Sequence, residues 1–254
     1  MTTYVPPEID FSTFPESDGE PMAETVENMQ QMIDLIFALG NLLRARGRAR
    51  VAVGGNQFLY YNPFNGRDHV SPDVYVALDV EPGNRPTWKT WMEGKCPDIV
   101  FEITSPSTQN EDTGRKRELY ARLGALEYYI YDPQDALRPR FQGYELRAGE
   151  LEPRQPLPTG GIRSSLLGVE LRPIGTYLRV IDPATGEPMF VPGEIQGAYE
   201  TAQARLDRAE QARLEEQQAR YAAEQRAAQA EAELRELRAA LAQSQGRDAP
   251  TAEA

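Results

Sequence analysis

The chain has 254 residues, a formal net charge of -12, one cysteine (Cys96) and one histidine (His69). This length suits one large domain, or one domain with an appendage, and the single cysteine and histidine exclude an internal disulfide and a Cys/His zinc cluster. No apolar run is long enough to span a membrane and the N-terminus has no secretory-signal pattern, so we expect a cytoplasmic protein without membrane partners.

Residues 1–20 are rich in proline and acidic side chains, which predicts an extended arm. From Pro21, apolar residues at three- and four-residue spacing predict a helix that runs to about Arg46 and stops at Gly47. This predicted apolar stripe consists of Met22, Val26, Met29, Ile33, Ile36 and Phe37. Glu24 lies in the first turn of this predicted helix, where a carboxylate suits the helix dipole. The alternative is that Glu24 adds an acidic group to a metal site.

The negative net charge disfavours binding of nucleic acid by the surface as a whole. It does not exclude a local basic groove that binds nucleic acid. The basic runs at residues 44–50 and 115–117 are candidates for such a groove, and the first run is equally typical of a solvated helix end. No nucleophile-elbow motif accompanies His69, so the sequence does not support a catalytic role for it. We interpret His69 as a solvated loop residue near Asp68.

Three strand-like segments follow the first helix, at residues 49–53, 57–61 and 73–80. Asp73 follows Pro72 and opens the third of them. It is either the polar lead-in of a buried strand or one half of a two-carboxylate site. Trp88 and Trp91, in the polar connection at residues 81–97, are interpreted as a packing lid.

The central stretch, residues 96–132, contains an apolar strand at residues 99–103 with Glu102 inside it. An ionised carboxylate in such a strand is costly unless a cation, a metal or hydrogen bonds compensate it. Alternation places Asp98, Val100 and Glu102 on one face. The β-helix-β order suggests that both faces are covered, so Glu102 is expected to be buried or to line a cleft.

The helix after this strand carries Lys116, Tyr120 and Leu123 on one stripe. Lys116 therefore shares the inner face with apolar residues and is placed to compensate Glu102. Gly124 is expected to end the helix, and residues 127–132 to form the next strand. Beyond it, β-like pieces punctuated by Pro and Gly predict hairpins at residues 141–146, 168–172 and 177–181.

The composition changes at residue 194 to a long run of helix-forming residues, about 45 residues or about 70 Å of helix. Leu234, Leu237 and Leu241 form a short heptad-like seam, whereas Leu206, Leu214 and Tyr221 do not share one register. We expect self-association into a homo-oligomer such as a dimer, with a single charge-paired helix as the alternative. Residues 246–254 are predicted to be a disordered tail.

Two carboxylates on adjacent strands with a lysine nearby can hold a hard divalent cation, usually Mg²⁺ with several waters. The ion polarises a phosphoryl oxygen and lowers the pKa of a bound water, and the lysine stabilises developing negative charge. This chemistry suits phosphodiester hydrolysis and requires no histidine, cysteine or organic cofactor.

Four segments resemble the Uma-two family, whose members are restriction-endonuclease-like proteins of the PD-(D/E)XK nuclease superfamily. They are DGEPMAET, SPDVYVALDV, PDIVFEITSPST and GRKRELYARLGALEYYIYDP, and the resemblance covers about residues 10–190. It implies an α/β (α+β) fold with a restriction-endonuclease-like core, in which a mixed central sheet is flanked by helices. It also implies DNA as the substrate and Mg²⁺ or Mn²⁺ as the cofactor.

The resemblance assigns metal binding to Asp73 and Glu102. The superfamily pattern expects a lysine two residues after the glutamate, where this chain has Thr104, and the following helix then supplies Lys116. Glu24 corresponds to an acidic residue that the first helix can contribute. Asp98 is a rival to Asp73, but four residues span about 13 Å of strand, too far for Asp98 and Glu102 to share one ion.

The predicted organisation is an arm at residues 1–20, a nuclease-like domain at 21–193, a charged helical coiled coil at 194–245 and a tail at 246–254. The predicted function is metal-dependent endonucleolytic cleavage of DNA. The alternative is a catalytically inactive nuclease-fold protein that oligomerises or recruits partners through its C-terminal coiled coil.

Overall fold

The computed structural model describes residues 8–16 and 25–247, with the backbone alone at 228, 232 and 240–247. The chain divides into two compact units, Met1–Gly193 and Glu194–Ala254. Three predicted parts of the chain lie outside the described residues. They are residues 1–7 and 17–20 of the predicted arm, Glu24, and residues 248–254 of the predicted tail.

The strands all belong to the first unit, and several are only two residues long. In chain order they are β1 (Val51–Gly54), β2 (Leu59–Tyr60), β3 (His69–Val70), β4 (Val74–Leu78), β5 (Trp88–Lys89), β6 (Ile99–Ile103), β7 (Glu127–Tyr131), β8 (Phe141–Arg147), β9 (Glu150–Pro153), β10 (Ile162–Ser164), β11 (Val169–Ile174) and β12 (Tyr177–Ile181).

The helices are one long element near the N-terminus, three short ones around the central stretch and the C-terminal rod. They are α1 (Val26–Ala45), α2 (Thr90–Glu93), α3 (Gln109–Glu111), α4 (Arg117–Leu123) and α5 (Pro192–Arg247). A 3-10 turn covers Phe11–Thr13, and a π-helical turn, Asp112–Lys116, joins α3 to α4.

A six-stranded mixed sheet in the order β1-β4-β6-β7-β8-β9 forms the centre of the first unit. Its β6–β7 pair is parallel, because α3, the π-helical turn and α4 form the crossover between them, and the other neighbours are antiparallel. The smaller sheets are β10-β11-β12 and β3-β2-β5. This mixed sheet with flanking helices and a long C-terminal helix confirms the predicted fold class.

Both faces of the central sheet are covered, and successive residues of β6 belong to opposite cores. Ile99, Phe101 and Ile103 lie in one core with Leu35 and other residues of α1. Val100 lies in the second core with Leu119 of α4. The alternation predicted for this strand is therefore confirmed, and Glu102 shares the face that α4 covers.

Helix α1 is confirmed, but its apolar stripe is displaced from the one that the sequence indicated. Val26, Met29 and Ile33 are exposed at 79%, 45% and 46%, whereas Leu35 and Leu39 are buried. The helix carries two apolar stripes, and the one that includes Leu35 and Leu39 packs against the sheet. Thr25 caps the helix by accepting a hydrogen bond from the Asn28 N–H, so the described helix starts later than predicted.

The described part of the predicted arm, residues 8–16, is anchored at one aromatic side chain. Phe14 is buried, and its ring lies 5.1 Å from that of Tyr60 and 5.2 Å from that of Trp91. Burial of an aromatic ring provides enough apolar area to hold this short segment against the small sheet.

Helix α5 extends through Arg247, two residues into the segment predicted as a disordered tail. Among the described side chains of α5, Ala198 is half-buried and the others are exposed. Within the described part of the chain, no helix combines the length and the apolar character that crossing a membrane requires.

Glu127 joins the central sheet to the sheet β10-β11-β12 through a buried network. Its carboxylate is 1% exposed and accepts hydrogen bonds from the Tyr129 hydroxyl (2.9 Å), the Ser165 N–H (2.7 Å) and Arg154 Nη2 (2.9 Å). The carboxylate therefore holds strand β7 against the segment that follows β10.

We expect Glu127→Ala to lower the free energy of unfolding by about 3 kcal/mol or more, because Arg154 loses its buried partner. Urea denaturation followed by tryptophan fluorescence measures this, since Trp88 and Trp91 both lie in the first unit. The control is Glu152→Ala on β9, an exposed carboxylate expected to change stability by no more than about 0.5 kcal/mol. Equal losses in the two variants would contradict the role of the network.

Candidate active site

The register of β4 and β6 brings Asp73 and Glu102 together. Val74 pairs with Phe101 in this antiparallel ladder, so Asp73, one residue before β4, lies opposite Glu102. Both side chains are on the face of the second core. Directly opposed residues have Cβ atoms about 5 Å apart, so the two carboxylates are neighbours.

Asp73 is fixed by the backbone around it. Its Oδ2 accepts a hydrogen bond of 2.6 Å from the Ile103 N–H, and the residue is half-buried. Gly55 lies against the same residue, where a Cβ would come within 2.0 Å of the Asp73 carbonyl oxygen. The absence of a side chain at Gly55 thus allows the chain after β1 to pass beside Asp73.

Lys116 reaches the buried glutamate from the last residue of the π-helical turn. Its Nζ lies 2.9 Å from Glu102 Oε2 and 2.9 Å from Asp112 Oδ1. The neighbouring Arg115 is exposed and pairs with Glu111 instead. The expected compensation of Glu102 by Lys116 is confirmed as a contact.

Tyr120 holds the other oxygen of the glutamate. Its hydroxyl donates to Glu102 Oε1 at 3.0 Å, so each oxygen of this 1%-exposed carboxylate accepts one hydrogen bond. Tyr120 lies one helical turn after Lys116, and both side chains donate hydrogen bonds to Glu102 from one face of the helical segment.

Asp112 belongs to the same cluster and was not among the residues predicted for it. Its side chain is 2% exposed, and Oδ1 makes no hydrogen bond of good geometry, so its contact with Lys116 is an ion pair. The Tyr128 hydroxyl donates to its backbone carbonyl at 2.8 Å. The four-residue spacing from Asp112 to Lys116 was the one available indication.

The charges of the cluster raise the pKa of both Glu102 and Lys116. Burial raises the pKa of Glu102 well above its usual range; Lys116 opposes this shift, and Asp73 and Asp112 add to it. Burial disfavours the charge of Lys116, but Glu102, Asp112 and Asp73 outweigh that and raise its pKa. Three carboxylates around one ammonium leave an excess of negative charge when all are ionised.

Asp73 and Glu102 are the two carboxylates that could hold a divalent ion of the Mg²⁺ type. Mg²⁺ is commonly held by one or two carboxylates together with waters and substrate phosphate oxygens. Each Glu102 oxygen that accepts one hydrogen bond retains a further lone pair, and the half-buried Asp73 is partly accessible to solvent. Among residues 8–16 and 25–247 there is no group of three or more His, Cys, Asp or Glu side chains arranged to hold a metal.

The other predicted candidates lie elsewhere or have structural contacts. Asp98, at the opposite end of β6 from Glu102, accepts from the Leu78 N–H at 2.6 Å and from Lys95 Nζ at 2.8 Å. Thr104 is buried, with its backbone N–H bonded to the Tyr131 carbonyl. Glu24 lies outside the described residues.

The interpretation of His69 as a solvated loop residue is wrong in one respect. It belongs to β3 and is half-buried, with its ring 4.5 Å from that of Phe58 and 5.2 Å from that of Tyr60. Trp88 is fully buried, in accord with its predicted packing role, and Trp91 packs on Phe14.

Comparison with known proteins gives one family. The Uma2 family profile, described as "Putative restriction endonuclease", matches residues 15–173. A solved structure that is similar is the "Crystal structure of a putative nuclease belonging to DUF820 from Anabaena variabilis ATCC 29413", with a TM-score of 0.42 and 14% identity over 58% of this chain and 76% of that chain. A similarity at this level carries no argument about the present chain. A search among curated proteins finds no match.

We expect Lys116→Ala to lower the free energy of unfolding by about 3 kcal/mol, because Glu102 then loses the partner of a buried charge. Adding Glu102→Gln should recover part of that loss, so that the double variant is more stable than the sum of the single effects predicts. Urea denaturation of the four proteins measures the coupling.

Arg115→Ala, one residue away and exposed, is the matched control, with an expected change of no more than about 0.5 kcal/mol. Strictly additive effects of the Lys116 and Glu102 substitutions would show that the two side chains do not depend on each other.

Proposed function

The chain belongs to the Uma2 family, whose profile is described as "Putative restriction endonuclease", and on that basis we propose that it is a divalent-metal-dependent endonuclease that hydrolyses phosphodiester bonds of DNA. One observation carries the proposal beyond the family: the contact of Lys116 Nζ with the buried Glu102, beside Asp73. A buried glutamate, a facing aspartate and a lysine together are the groups that metal-assisted phosphodiester hydrolysis requires.

Asp73 and Glu102 are the residues that would hold the ion. Mg²⁺ or Mn²⁺, when bound, would polarise a phosphoryl oxygen and lower the pKa of a bound water. Tyr120 fixes the orientation of the Glu102 carboxylate through its hydrogen bond, and the Ile103 N–H does the same for Asp73. The protein thus presents both carboxylates in one arrangement before any ligand arrives.

Lys116 is assigned the stabilisation of negative charge on the phosphoryl group. Its side chain is 15% exposed, which leaves the ammonium close to the surface while two carboxylates keep it charged. Asp112 positions this ammonium, since it contacts Lys116 and lies one turn before it. The site therefore contains a cationic group, although the chain as a whole has a net charge of -12.

DNA is the proposed substrate because the family is described as "Putative restriction endonuclease" and because Arg115 and Arg117 adjoin Lys116 in the sequence. Arg115 is exposed beside Lys116, and the Arg117 guanidinium lies 5.2 Å from the centre of the Tyr144 ring. Cations of this kind contact phosphates rather than base edges, so they position a nucleic acid without reading its sequence.

One observation favours the second candidate, a catalytically inactive protein that works through interactions. Thr104 stands where the superfamily has lysine, and both oxygens of Glu102 already accept hydrogen bonds from side chains. In that case the Lys116–Glu102 pair is a structural ion pair of the core. Cleavage assays and metal binding separate the two candidates.

We expect the purified protein to cut DNA in Mg²⁺ or Mn²⁺, with no cutting in EDTA. Glu102→Gln and Lys116→Ala should each slow cleavage by about a hundredfold or more, because each removes a group that holds the ion or stabilises charge. The measurement is the cleavage rate on supercoiled, linear and single-stranded DNA, with RNA in parallel.

Glu118→Gln and Arg122→Ala serve as matched controls, because both side chains are exposed on α4. They should retain wild-type rates. Cutting that survives unchanged in both Glu102→Gln and Lys116→Ala would assign the activity to another site or to a contaminant. Absence of cutting on every substrate would favour the inactive candidate.

Metal binding provides a readout that does not depend on the choice of substrate. We expect the wild-type protein to bind Mn²⁺ in a titration followed by electron paramagnetic resonance, and Asp73→Asn to weaken that binding at least about tenfold, because it removes one of two carboxylate ligands. Asp98→Asn, a buried aspartate at the other end of β6, is the control. Equal binding by the wild type and Asp73→Asn would refute the metal site.

A further inference from the structure

Helix α5 carries an apolar seam that keeps a single seven-residue register. Spacings of three and four residues lead from Tyr199 through Ala202 to Leu206. Leu234 lies 28 residues, or four heptads, after Leu206, so Leu234 and Leu237 belong to the same register. The side chains of Tyr199, Leu206, Leu234 and Leu237 are exposed at 65%, 61%, 49% and 70%. Leu214 and Tyr221 do not belong to this seam. Their spacing from Leu206 therefore does not reveal the seven-residue register.

The middle of the seam is charged. Continuing the same spacing from Ala209 places Arg213, Glu216 and Arg220 in the next three seam positions, before alanines resume at Ala223. Charged or polar residues at seam positions cost stability but select the register and orientation of the helices. The central three residues therefore determine which pairing of two α5 helices is allowed.

A parallel in-register pair would put like charges together. Each of Arg213, Glu216 and Arg220 would then face the same residue of the second copy across the seam. In an antiparallel pair centred midway between Glu216 and Arg220, Glu216 instead faces the partner's Arg220, and the symmetry repeats this pair.

The same antiparallel register matches side-chain sizes along the rest of the seam. Leu206 faces the partner's Ala230, Ala202 faces the partner's Leu234, and Tyr199 faces the partner's Leu237. Two of these three pairs combine leucine with alanine, a size match typical of close-packed interfaces, and the third joins two large residues at the end of the contact.

The positions that flank the seam favour the opposite arrangement. In a parallel pair, three oppositely charged combinations would meet beside the seam: Arg205 with Glu210, Arg226 with Glu231, and Glu233 with Arg238. These pairs are solvent-exposed, so water screens them and each contributes little. Repulsion between like charges on the seam acts in a partly desolvated contact and is therefore stronger.

We propose that the α5 helices of two copies of this chain form an antiparallel coiled coil centred between Glu216 and Arg220. The competing state is a single helix stabilised along its own surface, for which the Arg220–Glu224 ion pair at 3.2 Å is an example. The proposal is independent of any nuclease activity, because it uses residues of the second unit alone.

Cysteine cross-linking of the full chain tests the orientation. Ala209 and the partner's Ala227 face each other in the antiparallel register, whereas two copies of Ala209 would be about 27 Å apart at 1.5 Å per residue. A disulfide requires Cα atoms within about 7 Å. An equimolar mixture of Ala209→Cys and Ala227→Cys should therefore form a disulfide-linked dimer under mild oxidation, and neither variant alone should do so.

Gln211→Cys and Gln225→Cys are the matched controls, since they have the same symmetry relation but lie on the outer face of the proposed coil. Their mixture should not cross-link, and the native Cys96 is buried. Linked dimers from either seam variant alone would establish a parallel pair and overturn the proposal. A monomeric mass by light scattering, with no linked species in any sample, would also overturn it.

Charge exchange provides a second test. Glu216→Arg and Arg220→Glu should each abolish the dimer, because either one places two like charges opposite each other in the antiparallel seam. The double variant Glu216→Arg with Arg220→Glu restores opposite charges and should restore the dimer. Dimers that persist in both single variants, or that fail to return in the double variant, would refute the register.

Discussion

The burial of Glu102 inside strand β6 is the constraint on which the rest of the first unit depends. A carboxylate that is 1% exposed needs compensation, and the compensating groups lie in the connection to the next strand. Lys116 and Tyr120 supply it from consecutive turns, so the π-helical turn and α4 must lie over this face of the sheet. The parallel pairing of β6 with β7 follows from that crossover, and one polar residue is thereby tied to the topology of the central sheet.

The parts of the fold that sequence reasoning predicted are those with one dominant pattern. Strand β6 alternates between two cores, and Gly124 ends α4 with φ of 85°, as its position suggested. The displaced face of α1 and the burial of Phe14 could not be predicted, because α1 carries two apolar stripes and the short arm shows no periodicity. Strand β9 was missed because Glu150–Pro153 has a glutamate at two of its four positions and ends in proline.

Some residues of the candidate site were predicted from the sequence and others were missed. Parity and resemblance indicated Asp73, Glu102 and Lys116, and the structure brings them to one face of the sheet. Asp112 and Tyr120 were missed for physical reasons: a carboxylate four residues before a lysine is typical of an exposed helical ion pair, and a tyrosine on an apolar stripe is typical of the core. Only the packing of the crossover over β6 gives these two residues a polar target.

The close approach of Gly55 to Asp73 makes one position of the chain sensitive to substitution for geometric reasons alone. Gly55 has no side chain to bind an ion, donate a proton or contact a substrate, yet any side chain there would press on the backbone that carries Asp73. A substitution at this position would imitate the loss of the Asp73 carboxylate in a protein that retains it. A map of mutational sensitivity would therefore mark Gly55 together with the carboxylates, and position 55 would owe its identity to the space beside Asp73 and not to any reaction.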